Sequence, residues 1–250
     1  MLVGGFWTKA HALFSRIMLD TQKIKAISLD LDDTLWPIAP VIARAEQALQ
    51  DWLRPRAPRA AATLADANRR LAIRQEIQSA RPEIGHDLAT LRQEIIRRVL
   101  LDAQEDIALV APAYEVFYAE RLRVNLYQDA GEALVWLASR FPLVALSNGN
   151  ADVDRVGLGH LFKAGLSAQN LGIGKPDPRI FHAAAKAAGV QPSEILHVGD
   201  DAALDVLGGL GAGMQTVWVN RRGLAWTHHK PPHATVSDMA ELCQVLQAKA

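Results

Sequence analysis

Cysteine is almost missing from this chain: Cys243 stands alone among 250 residues. One thiol forms neither an internal disulfide nor a CxxC pair, so the signatures of a stapled secreted scaffold, a zinc module and a dithiol redox site are absent, and a reducing cytoplasm is the expected setting. Net charge is missing too. Lys and Arg number 27 and so do Asp and Glu, which leaves no whole-molecule field to draw in nucleic acid or an anionic membrane. No uncharged apolar run reaches the ~18 residues that a membrane span needs, the longest candidate being the Gly-rich stretch between Asp205 and Arg221. Compositional bias is also lacking: with half the residues hydrophobic, 17 Gly and 12 Pro, disordered and collagen-like classes are excluded.

What is present is enough apolar material for a large domain, or for a domain carrying a substantial insertion. The mildly apolar start is broken by Lys9, His11 and Arg16 and lacks a small-residue cleavage site, so residues 1–23 read as a short helix or frayed N-terminal extension. Short runs apolar on both faces follow at 25–30, 142–147, 195–198 and 216–219, and helical patterns are predicted over 129–140, 177–188 and 201–211. Such runs, alternating with helices, predict an open α/β fold with a Rossmann-like parallel sheet. Ligands of such sheets bind beyond the carboxyl ends of the strands. Residues 24–37 and 127–250 are assigned to this core. Between them, 38–126 shows helical periodicity and no strand pattern, as expected of an inserted all-helical domain. This insert has thirteen Arg, no Lys and twelve Asp plus Glu. Solvated helix faces explain that bias, and so would arginines facing a phosphate or an aromatic ligand.

The polar clusters fall at predicted strand ends. In Asp30-Leu31-Asp32-Asp33-Thr34-Leu35, strand periodicity sends Asp30 and Asp32 to the same side, where they repel unless a cation or a shared proton intervenes. Hard oxygen ligands of this kind suit Mg²⁺; a solvated Asp-rich turn is the plainer alternative. Ser147-Asn148-Gly149-Asn150 offers a hydroxyl, an amide and a backbone freed by glycine as donors to a phosphoryl oxygen, or else an ordinary turn. Lys175 lies in Gly174-Lys175-Pro176-Asp177-Pro178, either neutralising two negative groups or simply exposed. Asp200, Asp201 and Asp205 follow the strand at 195–198, expected across the sheet from the first pair. Other motif readings fail on spacing. Gly208 to Gly213 holds no GxGxxG, Gly174-Lys175 lacks the remainder of a P-loop, and His228, His229 and His233 have no second ligand set. Trp36 and Trp52 suit either a pocket for a flat ligand or ordinary packing.

Taken together, Asp-x-Asp, Ser, Lys and Asp-Asp in this order resemble the four motifs of the haloacid dehalogenase superfamily, over about residues 24–245. Asp30 to Trp36, Arg81 to Ile84 with His86-Asp87, Pro142 to Ala151 and Glu194 to Asp201 are further similar to the bacterial flavin mononucleotide phosphatase branch, which also acts on 5-amino-6-(5-phosphoribitylamino)uracil. The resemblance implies that 38–126 is a cap and that the activity is Mg²⁺-dependent hydrolysis of a small phosphate monoester. It implies Asp30 as nucleophile, Asp32 as acid and base, and Ser147, Asn148 and Lys175 around the phosphoryl group. Metal ligands would be a carboxylate oxygen of Asp30, the main-chain carbonyl of Asp32, and Asp200, with Asp201 and Asp205 auxiliary. A phosphomutase shares every motif, and a dehalogenase shares the nucleophile but needs neither Mg²⁺ nor a leaving-group acid. From another class, a noncatalytic phospho-acceptor module joins similar residues but has no place for the insert. The expected partner is a small phosphorylated metabolite, with no nucleic acid or membrane, bound by a monomer or homodimer. Within the insert, His86, Asp87 and Arg92 are the candidates for contacting the leaving group, although a helix N-terminus with a polar face explains them too. Hinges are expected near Trp36-Pro37 and at 125–129.

Overall fold

The computed structural model describes residues 19–248. Most of the 1–23 extension therefore lies outside the described residues. Its last part does not behave as an extension: Leu19 is buried in the main core, and the Asp20 backbone exchanges two hydrogen bonds with the Gln215 side chain, at 2.7 and 2.9 Å.

Six parallel strands form one sheet in the order β3-β2-β1-β4-β5-β6. They are β1 (Ala26–Leu29), β2 (Leu143–Ser147), β3 (Ala164–Ser167), β4 (Ile195–Gly199), β5 (Gln215–Val219) and β6 (Ala234–Val236). Every residue of β1, β2, β4 and β5 is buried, the signature of strands covered on both faces. The edge strands β3 and β6 are short, partly exposed and poor in large apolar residues, so they carry no periodic signal in the sequence.

Five α-helices lie between β1 and residue 122: α1 (Ile38–Leu53), α2 (Pro58–Ala65), α3 (Ala67–Ala80), α4 (Leu88–Asp102) and α5 (Val110–Arg121). Val41, Ala45, Leu49 and Leu53 give α1 an apolar stripe, and it packs with its neighbours around a separate hydrophobic cluster. Clusters on the two sheet faces form the remaining core. Helix α6 (Ala130–Ala138) leads into β2, α7 (Ala168–Leu171) follows β3, and α8 (Pro178–Ala188) precedes β4. Asp177 caps α8, Pro178 occupies its first turn, and Gly189 ends it at φ +82°. The 201–211 pattern is a π-helical stretch, Ala202–Leu207, running into α9 (Gly208–Gly211). Helix α10 (Met239–Gln247) closes the chain against α6. Two segments connect the five-helix region to the sheet, and the Tyr127 N–H donates to the Leu35 carbonyl at 2.9 Å, tying one to the other.

Candidate active site

The order of strands reverses between β1 and β4, the crevice where open α/β sheets bind ligands. Asp30 leaves the end of β1, and its N–H donates to the Val198 carbonyl of β4 at 2.9 Å. Asp200 leaves the end of β4, so the two acidic motifs sit on adjacent strands, not across the sheet. Thr34 bridges them, its hydroxyl 3.1 Å from Asp200 Oδ1 and 3.4 Å from Asp30 Oδ2. The Trp218 indole fixes the Asp200 carbonyl at 2.7 Å.

Lys175 is buried between carboxylates: Nζ donates to Asp30 Oδ1 at 2.5 Å and to Asp205 Oδ1 at 2.6 Å. The same Asp205 oxygen meets His197 Nε2 at 3.1 Å, and His197 Nδ1 lies 2.8 Å from Ser28 Oγ. Burial penalises the Lys175 charge, but Asp205 and Asp30 together hold its ammonium above the ordinary range. Burial also opposes ionisation of Asp205, yet Lys175 and His197 keep that carboxyl well below its usual value. The imidazole of His197, wholly enclosed, is pushed down. Asp30 and Asp200 go the other way. Burial raises Asp30, with Lys175 opposing and Asp205 reinforcing, and burial followed by Asp205 pushes Asp200 up to about 7. One oxygen from each of Asp30, Asp200 and Asp205 lies within 4.8 Å of the others. All-oxygen donors crowded against their own repulsion fit a hard divalent cation such as Mg²⁺. The Asp205 carboxylate accepts from three groups, Lys175, His197 and the Asp201 N–H. Among the described residues the Asp30 carboxylate meets only Lys175 and Thr34, and that of Asp200 only Thr34, so Asp30 and Asp200 are the better placed to hold it.

Asp201 is not brought to this cluster. It is exposed and caps the π-helical stretch, accepting from the N–H groups of Ala203 and Leu204, both at 2.8 Å. Asn148 joins two loops: its amide donates to the Lys175 carbonyl at 2.9 Å and accepts from the Lys175 N–H at 2.7 Å. Ser147, at the end of β2, accepts the Gly149 N–H at 2.9 Å.

Asp32 faces the helical insert. Arg121, at the end of α5, donates through Nη2 to both its oxygens at 2.8 and 2.6 Å, and the Trp36 indole donates to it at 2.8 Å. Trp36 is thus a core residue with a polar task and not a pocket wall. A cavity of 220 Å³ opens beside Asp32, walled by residues of the insert that include Arg92, Phe117 and Arg121. Of the three insert candidates only Arg92 lines it. Asp87 caps α4 through Thr90, at 3.0 Å to its N–H, and His86 lies outside the lining. The sequence carries no distinguishing signal for Arg121, His197 or Thr34. Arg121 is one of thirteen arginines in the insert, and His197 sits inside an apolar run. His233 accepts the Thr216 N–H at 3.0 Å, and no metal-ligating group among the described residues includes His228, His229 or His233.

The model of the haloacid dehalogenase-like hydrolases matches residues 24–213, so the chain belongs to that family and is an enzyme, a haloacid dehalogenase-like hydrolase. It is 34% identical over 232 residues to the 5-amino-6-(5-phospho-D-ribitylamino)uracil phosphatase YigB of Escherichia coli K12, spanning 90% of this chain and 97% of that one. The phosphoserine phosphatase of Thermus thermophilus is 37% identical over 158 residues, 60% of this chain and 63% of its own. Among solved structures, a 2-haloacid dehalogenase from Pseudomonas syringae pv. Tomato DC3000 superposes with TM-score 0.85 at 38% identity, covering 91% of this chain and 100% of that one.

Proposed function

We propose that the chain is a Mg²⁺-dependent phosphatase of small phosphorylated metabolites, working through an aspartyl-phosphate on Asp30. The observation that carries this reading is the convergence of Asp30, Asp200 and Asp205 around the buried Lys175 at the switch point of the sheet. Asp30 and Asp200 would hold the cation, with the Asp32 carbonyl as the resemblance implies, and when bound it supplies neutralisation of phosphoryl charge. Lys175, fixed by Asp205 and His197, adds a second positive charge, and Ser147 a hydroxyl donor. The Asp30 carboxylate attacks phosphorus as the ester P–O bond breaks, and Asp32 gives its proton to the leaving oxygen. Water then attacks the same phosphorus, its proton passes to Asp32, and the bond to Asp30 breaks to release phosphate.

The five-helix segment, within 38–126, acts in this reading as a cap over Asp32. The relationship to YigB makes its ribityl ester, with flavin mononucleotide, an early compound to assay. Asp30→Asn should reduce phosphate release to background, as should chelation of Mg²⁺. Substantial turnover under either condition would sink the covalent mechanism. A second reading, carbon–halogen hydrolysis, is favoured by the dehalogenase neighbour; halide release from 2-chloropropionate without phosphate release from any ester would establish it instead.

A further inference from the structure

Phosphoryl recognition leaves most of the cavity beside Asp32 unexplained. Its polar wall consists of Arg74, Arg92, Arg121 and Asn150, and its only carboxylate is Asp32, already held by Arg121 and Trp36. Its other wall is apolar, with Ile38, Leu91, Ile95 and Phe117 among the lining residues. Four guanidinium groups cluster here, since Arg70 lies close enough to Arg92 to act on it, against two carboxylates, Asp32 and Glu46. Arg74 has no carboxylate partner among the described residues. Burial, with Arg70 and Arg74 nearby, holds the Arg92 guanidinium below its ordinary value even though Glu46 pairs with it at 2.8 Å.

The donors themselves are incompletely used. Nη1 of Arg121, on a side chain only 2% exposed, is buried without an acceptor, and so is Nη1 of Arg92. Withholding an acceptor from a buried charged donor forfeits its full hydration, so such a group favours any ligand that brings one. Arg92 lies face-on to Phe117, 4.1 Å from the ring centroid, which leaves the N–H edge of its fork for in-plane acceptors.

We propose that this cavity receives the leaving group of the ester and selects alcohols that carry a carboxylate, bound by Arg92 and Arg121 with Arg74 at the rim. The inference rests on the phosphatase reading, which puts the leaving oxygen at Asp32, and it extends that reading to the class of phosphorylated hydroxy acids. At 220 Å³ the cavity falls below the roughly 300–1,000 Å³ of sites for drug-sized ligands, which suits a compact acid better than a tricyclic flavin. The apolar wall covers the short carbon skeleton, while the paired guanidinium edges match the planar carboxylate.

The test compares 3-phosphoglycerate with glycerol 3-phosphate, which share a skeleton and differ in the carboxylate, alongside the larger neutral ribityl ester and p-nitrophenyl phosphate. The carboxylate ester should be preferred in kcat/KM by roughly 10- to 100-fold, the range of a charge-assisted contact. In Arg92→Leu, which leaves Glu46 paired with Arg70, that preference should fall toward unity; Arg74→Gln, an exposed change with no demand on folding, should lower it in part. Equal wild-type turnover of 3-phosphoglycerate and glycerol 3-phosphate, or a uniform loss on every ester in both variants, overturns the proposal. Calorimetry of D-glycerate against glycerol separates the two levels of inference. If no ester releases phosphate but D-glycerate binds the wild type and not Arg92→Leu, the phosphatase reading fails and the carboxylate site stands. If esters are hydrolysed and D-glycerate binds no better than glycerol, the site fails and the phosphatase reading stands.

Discussion

Single atoms decide how tightly this site is assembled. A Cβ on Gly149 would stand 2.6 Å from Asp32 Oδ2, 3.1 Å from Ser147 Oγ and 3.2 Å from Arg121 Nη2, so the missing side chain is what lets these three polar side chains converge. Gly149→Ala should therefore displace Asp32 and cost about 100-fold in kcat, the scale of an ångström misplacement of a catalytic group. Thermal unfolding should shift by only a few degrees, because the steric conflict is confined to side chains. A drop in the unfolding midpoint large enough to account for the lost activity would show that Gly149 is needed for the fold instead. Lys175 illustrates the same dependence on neighbours. Its charge is secured by Asp205 and Asp30 at contact distance, and Asp205 is itself held by His197, itself in contact with Ser28 in β1.

At the scale of elements, consecutive aspartates serve different ends because the chain turns between them. Asp200 still belongs to the end of β4 and points at the cluster with Asp30, whereas Asp201 begins the π-helical stretch and satisfies its first N–H groups. Asp201→Ala should lower stability by about 1 kcal/mol, the usual worth of an N-cap, and leave the Mg²⁺ concentration for half-maximal activity unaltered. Asp200→Ala should raise that concentration steeply. Matching shifts in both variants would make Asp201 a metal ligand after all. The turn after β1 is specified just as locally: Asp33 adopts φ +60°, a conformation Asp tolerates, and its carboxylate accepts the Ile38 N–H at 3.0 Å where α1 begins. That turn carries the chain from Asp30 directly into the helical insert.

At the scale of the whole molecule, the proposed cation site depends on the fold. Asp30 and Asp200 come from strands separated in sequence but paired in the sheet, and burial disfavours the charged form of both. A cation bound only by the folded chain should stabilise it, by about 2.7 kcal/mol at a hundredfold excess over its Kd. Calorimetric unfolding with and without Mg²⁺ checks this: the midpoint should rise in the wild type and stay fixed in Asp200→Asn, and an equal rise in both would place the ion elsewhere. Among the described residues no helix is long and apolar enough to cross a membrane.

The amino-acid sequence by itself determined the four central strands, the helical insert and the acidic, serine and lysine motifs. Burial on both faces makes central strands continuous apolar runs, and phosphoryl chemistry places its polar residues where those runs end. The edge strands escaped because half-exposed segments such as Ala164–Ser167 need little hydrophobic patterning. Tertiary structure alone decided which of the like residues matter. It chose Arg121 and Arg92 from thirteen arginines, gave Asp205 to Lys175 and Asp201 to a helix end, and made His197 a buried partner instead of a bystander. Local patterning records whether a residue is buried, but the partner it meets there lies 30 to 169 positions away for Lys175 with Asp205 and for His197 with Ser28, and only chain folding sets that distance.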